Sequence, residues 1–244
     1  MPDESVRPDP GGTMNPARLT RTTVAGSLLA AAVLTVVSIS TMPDFSGGHA
    51  ARLEAIAGSS LATFSALTWV ISQIFILVGV VGVAHLTRHR APVLSTAAAV
   101  LVALSCFGHS VYGGVNLTML AMAADPASIT THAAVLDSLE SGIGIPFMAA
   151  GMLGLVLGFL ALAVALWRSG VAPRWTGPAL VVWLVIEFFA SSLSEWAFYA
   201  SGLLYLVVFG TLAAVVWRSP VSVWRTEAEA RAAGVLSDAS PALV

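Results

Sequence analysis

The chain has 244 residues and a formal net charge of −2; 57% of its residues are hydrophobic and 10% are charged, with a mean hydropathy of +0.87. A soluble domain usually carries about 25% charged residues, so this composition excludes an ordinary soluble globular protein. The charge balance and the lack of any basic run argue against a nucleic-acid partner. Apolar runs of about 20 residues or more predict instead an all-α, polytopic membrane protein.

Six apolar runs predict six transmembrane helices in a compact bundle between two tails. We expect a disordered cytoplasmic tail over residues 1–20, a transmembrane domain over 21–220, and a cytoplasmic tail with a short helix over 221–244. A cleaved signal peptide is the alternative for the first span, but its apolar part exceeds the roughly 7–15 residues usual there, which favours a retained span. The spans are predicted at about 22–41, 61–86, 93–120, 143–167, 175–193 and 196–217.

Two of the predicted loops carry short polar segments. Residues 50–57 predict an amphipathic piece, and residues 127–141 predict a surface helix with His132, Asp137 and Glu140. The carboxylates on this side, with His49, are of the types that bind divalent cations, but they are spread over three loops without the spacing of a metal-binding loop. We therefore predict an ordinary acidic surface and no metal.

His85 and His89 have the i, i+4 spacing of a metal-binding helix pair. Arg88 and Arg90 beside them oppose a bound cation, which favours a solvated turn at the end of the second span. His85 and His109 would lie at different depths in the bilayer, which argues against their ligating one haem. No cofactor is predicted.

The third span carries four polar residues on one helical face. Ser105, His109, Tyr112 and Asn116 fall at i, i+4, i+7 and i+11, which follows the repeat of a helix. A polar stripe on a membrane-crossing helix avoids lipid, so neighbouring helices should surround it. We expect the stripe to face the fifth span.

His109 and Glu187 are the two ionisable residues expected inside the bilayer, both in its outer half. A charge at mid-bilayer costs at least about 2.5–3.5 kcal/mol on insertion scales, so each needs a partner, water or neutrality. The candidate polar pocket comprises the four stripe residues together with Glu187, Ser72 and Ser191. One hypothesis is an outward-open pocket or a proton or cation path; the alternative, which we favour, is an interhelical hydrogen bond that fixes packing, worth about 0.6 kcal/mol.

Gly154 and Gly158 form a GxxxG pair in the fourth span, with Ala150 one step earlier. Small residues at this spacing let a neighbouring helix approach closely. Besides the lipid bilayer, the expected partner is therefore another membrane protein or a second copy of the chain, which would bind through Gly154 and Gly158.

The arginines fall almost entirely on one side of the predicted spans. The chain has eleven basic residues, all arginines, and Arg52 is the one that does not lie in a tail or in the second or fourth loop. This positive-inside bias predicts a multi-pass protein of the cell membrane with both termini cytoplasmic.

The arginine-only basic set, the six spans and the segment His49-Ala-Ala-Arg-Leu-Glu-Ala-Ile-Ala57 before the second span together resemble the uncharacterised six-helix integral membrane proteins common in actinobacteria. The resemblance covers roughly residues 20–220. It implies a bacterial inner-membrane protein and transfers no catalytic residue to any position here.

Three functions follow from these observations. The first hypothesis is a non-enzymatic membrane protein, a partner subunit or sensor, whose polar residues serve packing. The alternative is a small transporter, or an ion- or proton-conducting protein, that uses the region of His109 and Glu187. An intramembrane enzyme has least support, because a lone Cys106 and the lack of P-loop, HExxH and GxSxG motifs leave no nucleophile–base set.

Overall fold

The computed structural model describes residues 15–190 and 194–226 of the chain. These residues form a succession of helices without any strand, which confirms the all-α prediction for the described part. α7 continues as a π-helical segment over Ile186–Ala190, and short 3-10 turns cover Pro126–Ser128 and Val221–Trp224. The α-helices are α1 (Pro16–Thr41), α2 (His49–Ala57), α3 (Ala62–Thr87), α4 (Pro92–Ala123), α5 (Ile129–Ser141), α6 (Ile145–Ser169), α7 (Thr176–Val185) and α8 (Glu195–Arg218).

Six of these helices form a closed ring. Each packs on the next in the order α1, α3, α4, α6, α7 and α8, and α8 packs back on α1. The remaining two, α2 and α5, pack on each other and on α4. We call the end of the ring that carries α2 and α5 the cap end. The opposite end, where α1 begins, α8 ends and the α3–α4 and α6–α7 loops lie, is the basic end.

Five helices are long and apolar enough to cross a membrane, as expected for a membrane protein. They are α1, α3, α4, α6 and α8, with 23 to 32 residues each. They correspond to the first, second, third, fourth and sixth predicted spans. The predicted fifth span corresponds to α7 and its π-helical continuation, which form a shorter apolar helix, Thr176–Phe189; residues 191–193 lie outside the described residues.

The beginning of α1 corrects the predicted N-terminal tail. The helix begins at Pro16, so residues 16–20 are helical and do not belong to a disordered segment. Asn15 caps this end, because its side-chain oxygen accepts the backbone N–H groups of Ala17 at 3.1 Å and Arg18 at 3.4 Å, and proline suits the first helical position. The short helix predicted in the C-terminal tail lies outside the described residues.

Arginines at the basic end hold neighbouring helix ends together. An Arg21 guanidinium nitrogen donates to the carbonyl of Ser219 at 3.0 Å, and one of Arg90 donates to the carbonyl of Ser169 at 2.7 Å. Both carbonyls lie just where a helix leaves its last turn without an internal donor. The α6 helix then ends at Gly170, whose φ of 62° lies in the left-handed region. These contacts join α1 to α8, and the α3–α4 loop to α6.

His85 also lies at the basic end, and its surroundings correct the prediction of a solvated turn. Its Nε2 is 2.9 Å from the carbonyl oxygen of Val223, and its ring stacks on Trp224 with 5.2 Å between centroids. Trp224 in turn donates its indole N–H to Ser219 Oγ at 2.7 Å. His85 is therefore a half-buried packing residue, whereas His89 is exposed, and the two do not form a metal pair.

Glycines bring α4 and α6 into close contact. A Cβ added to Gly154 would lie 2.7 Å from the carbonyl oxygen of Leu101, and one added to Gly158 would lie 2.8 Å from Val102 Cγ2. Both glycines are buried. The GxxxG pair thus serves packing within this chain, and an association with a partner or a second copy, which stays a prediction, would need another surface.

The outside of the ring is apolar over its whole middle. Ile74, Leu153 and Leu203 are each more than 60% exposed. Water-soluble proteins rarely display so much contiguous apolar surface, whereas lipid would cover it. Exposed tryptophans lie near both ends of the ring, Trp167 and Trp217 at the basic end and Trp196 at the start of α8, where interfacial aromatic residues are expected.

Candidate functional site

The ring encloses a cavity of about 550 Å³ in its half nearer the cap end. All six ring helices contribute to the wall, and Phe45 and Ile56 close it from the cap side. The half nearer the basic end is filled instead by side chains that are less than 2% exposed, among them Leu28, Leu162 and Leu212. The cavity is therefore a bowl whose floor lies inside the bundle, and its volume falls within the roughly 300–1,000 Å³ of small-molecule pockets.

The predicted polar stripe of α4 lies along one wall of this cavity. Ser105, His109, Tyr112 and Asn116 all line it. Ser105 is buried and donates its hydroxyl to the carbonyl of Gly151 on α6 at 3.0 Å. The stripe thus faces an enclosed space, and α4 itself packs between α3 and α6 while α7 lies on the far side of the cavity.

The hydrogen bonds of His109 determine which of its ring nitrogens carries a proton. Nδ1 lies 3.0 Å from the carbonyl oxygen of Ser105 and 3.1 Å from its hydroxyl. A carbonyl oxygen only accepts, so Nδ1 donates and the neutral imidazole has its lone pair on Nε2. The imidazole of His109 also packs against the indole of Trp69 on α3 in a T-shaped contact with 5.7 Å between centroids. His109 is therefore held in place, half-buried, with an acceptor nitrogen in the cavity wall.

Glu187 lines the same cavity from the side of α7. It lies in the π-helical segment and accepts a short hydrogen bond from the hydroxyl of Ser201 on α8. Ser201 is 1% exposed, so this contact joins α7 to α8 inside the bundle. π-helical turns are frequently found at functional sites. Ser191, which the sequence places in the same polar set, lies outside the described residues.

Two hydroxyl groups at the bottom of the cavity have no hydrogen-bond partner in the described part of the chain. They are Thr35 Oγ1 on α1 and the phenol oxygen of Tyr205 on α8. Both residues line the cavity and are more than nine-tenths buried, at 8% and 3% exposure. Buried polar groups are rarely unpaired, and leaving one unpaired costs about 1–3 kcal/mol. The two hydroxyls lie close enough to interact with each other, although neither makes a hydrogen bond of ordinary length and geometry.

Aromatic rings form the floor beneath these hydroxyls. Trp183 packs against Phe159 and against Tyr205, with centroids 5.2 Å and 5.1 Å apart. Phe209 stacks below Tyr205 at 4.1 Å. Offset and edge-to-face pairs of this kind stabilise their own arrangement beyond the area they bury. The floor is consequently a rigid aromatic plate contributed by α6, α7 and α8.

The other members of the predicted pocket have different surroundings. The hydroxyl of Tyr112 is buried beside Gly144 and has no hydrogen-bond partner among the described residues. Asn116 is half-buried at the cap end of the wall. Ser72 is fully buried but does not line the cavity, because its hydroxyl bonds back to the carbonyl of Trp69 at 2.7 Å. Ser72 therefore serves the packing of α3.

The described part of the cavity wall carries an acidic side chain and no basic one apart from an imidazole. Among the described residues that line it, Glu187 is acidic, His109 is an imidazole, and none is lysine or arginine. The rest of the wall is mostly apolar or aromatic. The aromatic lining residues are Phe45, Trp69, Tyr112, Phe147, Phe159, Trp183, Phe188, Phe198 and Tyr205.

A polar cluster at the cap end joins α2 to α5. His49 Nδ1 lies 2.7 Å from Asp137 Oδ1, and its Nε2 lies 3.2 Å from Glu140 Oε1. Arg52 adds a longer contact of 3.9 Å to the same Glu140 oxygen. We call these four residues the cap cluster. Although His49 and two carboxylates meet here, no group of three or more metal-ligating side chains suited to a metal ion occurs in the described residues.

The loop that leads into the cap is ordered by a local contact. The backbone N–H of Ser46 donates to Asp44 Oδ1 at 2.9 Å. This bond, with a further one from the Ser46 hydroxyl, lowers the pKa of the exposed Asp44 carboxyl below its ordinary value. The loop residues Pro43 and Phe45 on either side of Asp44 line the cavity.

Sequence reasoning missed much of the cavity wall. Thr35 and Tyr205 of the wall, and Ser201 behind Glu187, give no sequence signal, because single polar residues in α1 and α8 form no repeated stripe. The cap cluster was missed as well, since His49 and Asp137 are 88 residues apart in the chain. Trp183 and Phe159 carry no signal that distinguishes them from ordinary apolar span residues.

Comparison with known proteins adds no relative: no family model, curated protein or solved structure matches this chain. The class of protein is therefore defined by the fold alone, a helical protein with five long apolar helices suited to a membrane. A relation to actinobacterial six-helix proteins is not shown.

Proposed function

We propose that this chain is a multi-pass membrane protein that binds a small molecule in the cavity between its helices. The observation that carries the proposal is the mostly apolar cavity of about 550 Å³ with two buried hydroxyls at its floor, on Thr35 and Tyr205. A concave, mostly apolar site with a few convergent polar groups is the usual form of a small-molecule site. His109 and Glu187, on opposite walls, supply the remaining polar contacts.

In this proposal α7 with its π-helical segment also crosses the membrane, as the fifth of six spans, and both termini are cytoplasmic. Thr176–Phe189 falls short of the roughly 20 residues of a typical span, but it occupies a place in the ring between α6 and α8. The hydrogen bond from Arg21 to Ser219 keeps the start of α1 and the end of α8 at one end, which also holds most arginines. The positive-inside rule then puts the cavity in the outer half of the bilayer.

Of the two functions that the sequence suggests, a sensor that binds a ligand fits this geometry better than a transporter. In the described part of the chain the floor is closed toward the basic end by Phe159 and Phe209, 6.0 Å apart between centroids, and by buried side chains such as Leu162 beneath them. A transporter is the second candidate, because the π-helical segment Ile186–Ala190 interrupts α7 at the cavity wall, where a shift of helix register would rearrange Glu187. Uptake of a bound molecule by sealed vesicles containing the protein distinguishes the two.

Binding is tested with a substitution on α8 that fills the cavity. A Cβ at Gly202 would meet Val36 and Ile39 at ordinary distances of 3.7 and 4.0 Å, so Gly202→Phe places its ring in the cavity without a backbone clash. Gly210, two turns further along the same helix, has open space around its Cβ, and Gly210→Phe is the matched control. Native mass spectrometry of the protein released from detergent measures co-purifying small molecules. We expect one to be bound to the wild type and to Gly210→Phe, and lost from Gly202→Phe.

Binding in the cavity is refuted if the wild type carries no molecule after purification from its own membranes and also none after incubation with a total lipid-soluble extract of them. It is equally refuted if Gly202→Phe retains the same molecule at the same occupancy.

A further inference from the structure

We infer that the molecule bound in the cavity is a lipophilic cation, with an apolar or aromatic body and an amine-type positive centre. The inference rests on the proposed binding function and adds the chemical class of the ligand. It follows from the charges, the rings and the hydrogen-bonding directions of the cavity wall.

The charges of the wall select against an anion. Glu187 is the acidic residue among the described lining residues, and the lining contains no lysine or arginine among them. An anionic ligand would therefore lose its hydration without gaining a cationic partner, and it would stand near a carboxyl group. A cation gains a partner in Glu187 instead.

The rings of the wall suit a positive centre as well as an apolar body. Nine aromatic side chains among the described residues line the cavity, and three of them, Trp183, Phe159 and Tyr205, form its rigid floor. The face of an aromatic ring attracts a cation, and the attraction grows to about 2 kcal/mol or more when the pair is desolvated. Aromatic walls also bind the apolar part of such a ligand through ordinary burial.

Two polar side chains on opposite walls of the cavity, His109 and Glu187, present acceptor atoms. His109 uses Nδ1–H on Ser105, so its neutral ring presents only the Nε2 lone pair. The hydroxyl of Ser201 is directed to Glu187 and is therefore not available to a ligand. The hydroxyls of Thr35 and Tyr205 can donate as well as accept a hydrogen bond, so they suit either kind of ligand group. A ligand that donates hydrogen bonds or carries positive charge therefore matches His109 and Glu187.

A pair of ions with the same shape and opposite charge tests the inference on the wild-type chain. Tetraphenylphosphonium is a lipophilic cation and tetraphenylborate a lipophilic anion of nearly the same size. We expect saturable binding of tetraphenylphosphonium by isothermal titration of the purified protein against detergent-matched buffer, and no saturable binding of tetraphenylborate. Gly202→Phe should abolish the binding of tetraphenylphosphonium.

Glu187→Gln is the decisive variant, with Glu54→Gln on the exposed face of α2 as its control. Removing one partner of a buried charge pair usually weakens binding at least about tenfold, so Glu187→Gln should weaken tetraphenylphosphonium binding by that factor and Glu54→Gln should not. Glu187→Asp keeps the charge and should bind the cation within about threefold of the wild type. The comparison of the two ions needs no variant, so it decides the matter even if Glu187→Gln does not fold.

Three outcomes would overturn the cation assignment: tetraphenylborate binding as tightly as the cation, Glu187→Gln binding the cation like the wild type, or no binding of either ion. In each case, loss of the co-purified molecule from Gly202→Phe would still support ligand binding, so the two proposals fail separately.

Discussion

At the scale of single residues, the phenol oxygen of Tyr205 affects both the stability of the ligand-free protein and its affinity for a ligand. It is buried at the floor without a hydrogen-bond partner in the described part of the chain, next to the aromatic rings of Trp183 and Phe209. Its oxygen costs free energy when nothing is bound and contributes free energy when a ligand pairs with it. The same atom therefore has opposite effects on the stability of the empty protein and on ligand affinity.

Tyr205→Phe removes that oxygen and leaves the ring packing intact. Because relief of an unpaired buried hydroxyl is worth about 1–3 kcal/mol, we expect the ligand-free variant to unfold at a temperature a few degrees higher than the wild type. Thermal unfolding followed by tryptophan fluorescence measures this. Tyr199→Phe, on the exposed face of the same helix, should leave the unfolding temperature unchanged. A lower unfolding temperature for Tyr205→Phe would mean that its hydroxyl is paired.

At the scale of elements, the contact between α4 and α6 sets the width of the cavity. Gly108 on α4 lies so close to α6 that an added Cβ would be 2.5 Å from the carbonyl oxygen of Phe147. Gly154 and Gly158 make comparable contacts from the other helix. Backbone against backbone leaves no soft side chain to yield, so the spacing of these two helices is rigid.

Gly108→Ala tests this contact, with Gly114→Ala one and a half turns along α4 as the control. We expect Gly108→Ala to destabilise the protein by about 1–3 kcal/mol, since overpacking forces a backbone shift. Gly114 has open space around its Cβ, and alanine is the better helix former, so Gly114→Ala should be neutral or slightly stabilising. Thermal unfolding in detergent compares the two. Equal unfolding temperatures would contradict the close approach.

Hydrophobic length and periodicity predict the helices well, and the α4 stripe predicts one wall of the cavity. Ser105, His109, Tyr112 and Asn116 share a face because four polar residues at helical spacing can hardly all turn to lipid. The opposite wall was only partly predictable. Glu187 stands out as a charge in an apolar run, but neither the π-helical turn that carries it nor its contact with Ser201 follows from a local pattern.

At the scale of the whole molecule, the cap packs on α4 at the end of the ring where the cavity lies. Its small apolar core includes Leu53 and Leu136, both nearly fully buried. The cap cluster lies beside this core and joins His49 of α2 to Asp137 and Glu140 of α5. Because contacts to partly exposed carboxylates contribute little each, we expect the cluster to control local unfolding of the cap more than the stability of the bundle.

The double variant Asp137→Asn with Glu140→Gln tests this role. Both carboxylates lose their charge, so we expect faster hydrogen exchange in α2, by about three- to tenfold, with little change in α4 and α6. Hydrogen–deuterium exchange followed by mass spectrometry resolves the helices separately. Glu54→Gln removes an acidic charge from α2 outside the cluster and should leave its exchange rate unchanged. Unchanged exchange in the double variant would show that the apolar core alone holds the cap.

The reciprocal hydroxyl–carbonyl bonds between Ser38 and Ser65, each 2.9 Å, have a consequence for biosynthesis. They join α1 to α3, and the glycine contacts join α4 to α6, so the first four ring helices have their neighbours as soon as they enter the membrane. The ring closes only when α8 packs on α1, and α8 is the last ring helix to be synthesised. Until then Thr35 and Trp69 face an open cleft. A nascent chain released before α8 would expose its polar lining to lipid. Membrane quality control could therefore recognise the chain as incomplete until α8 has packed on α1.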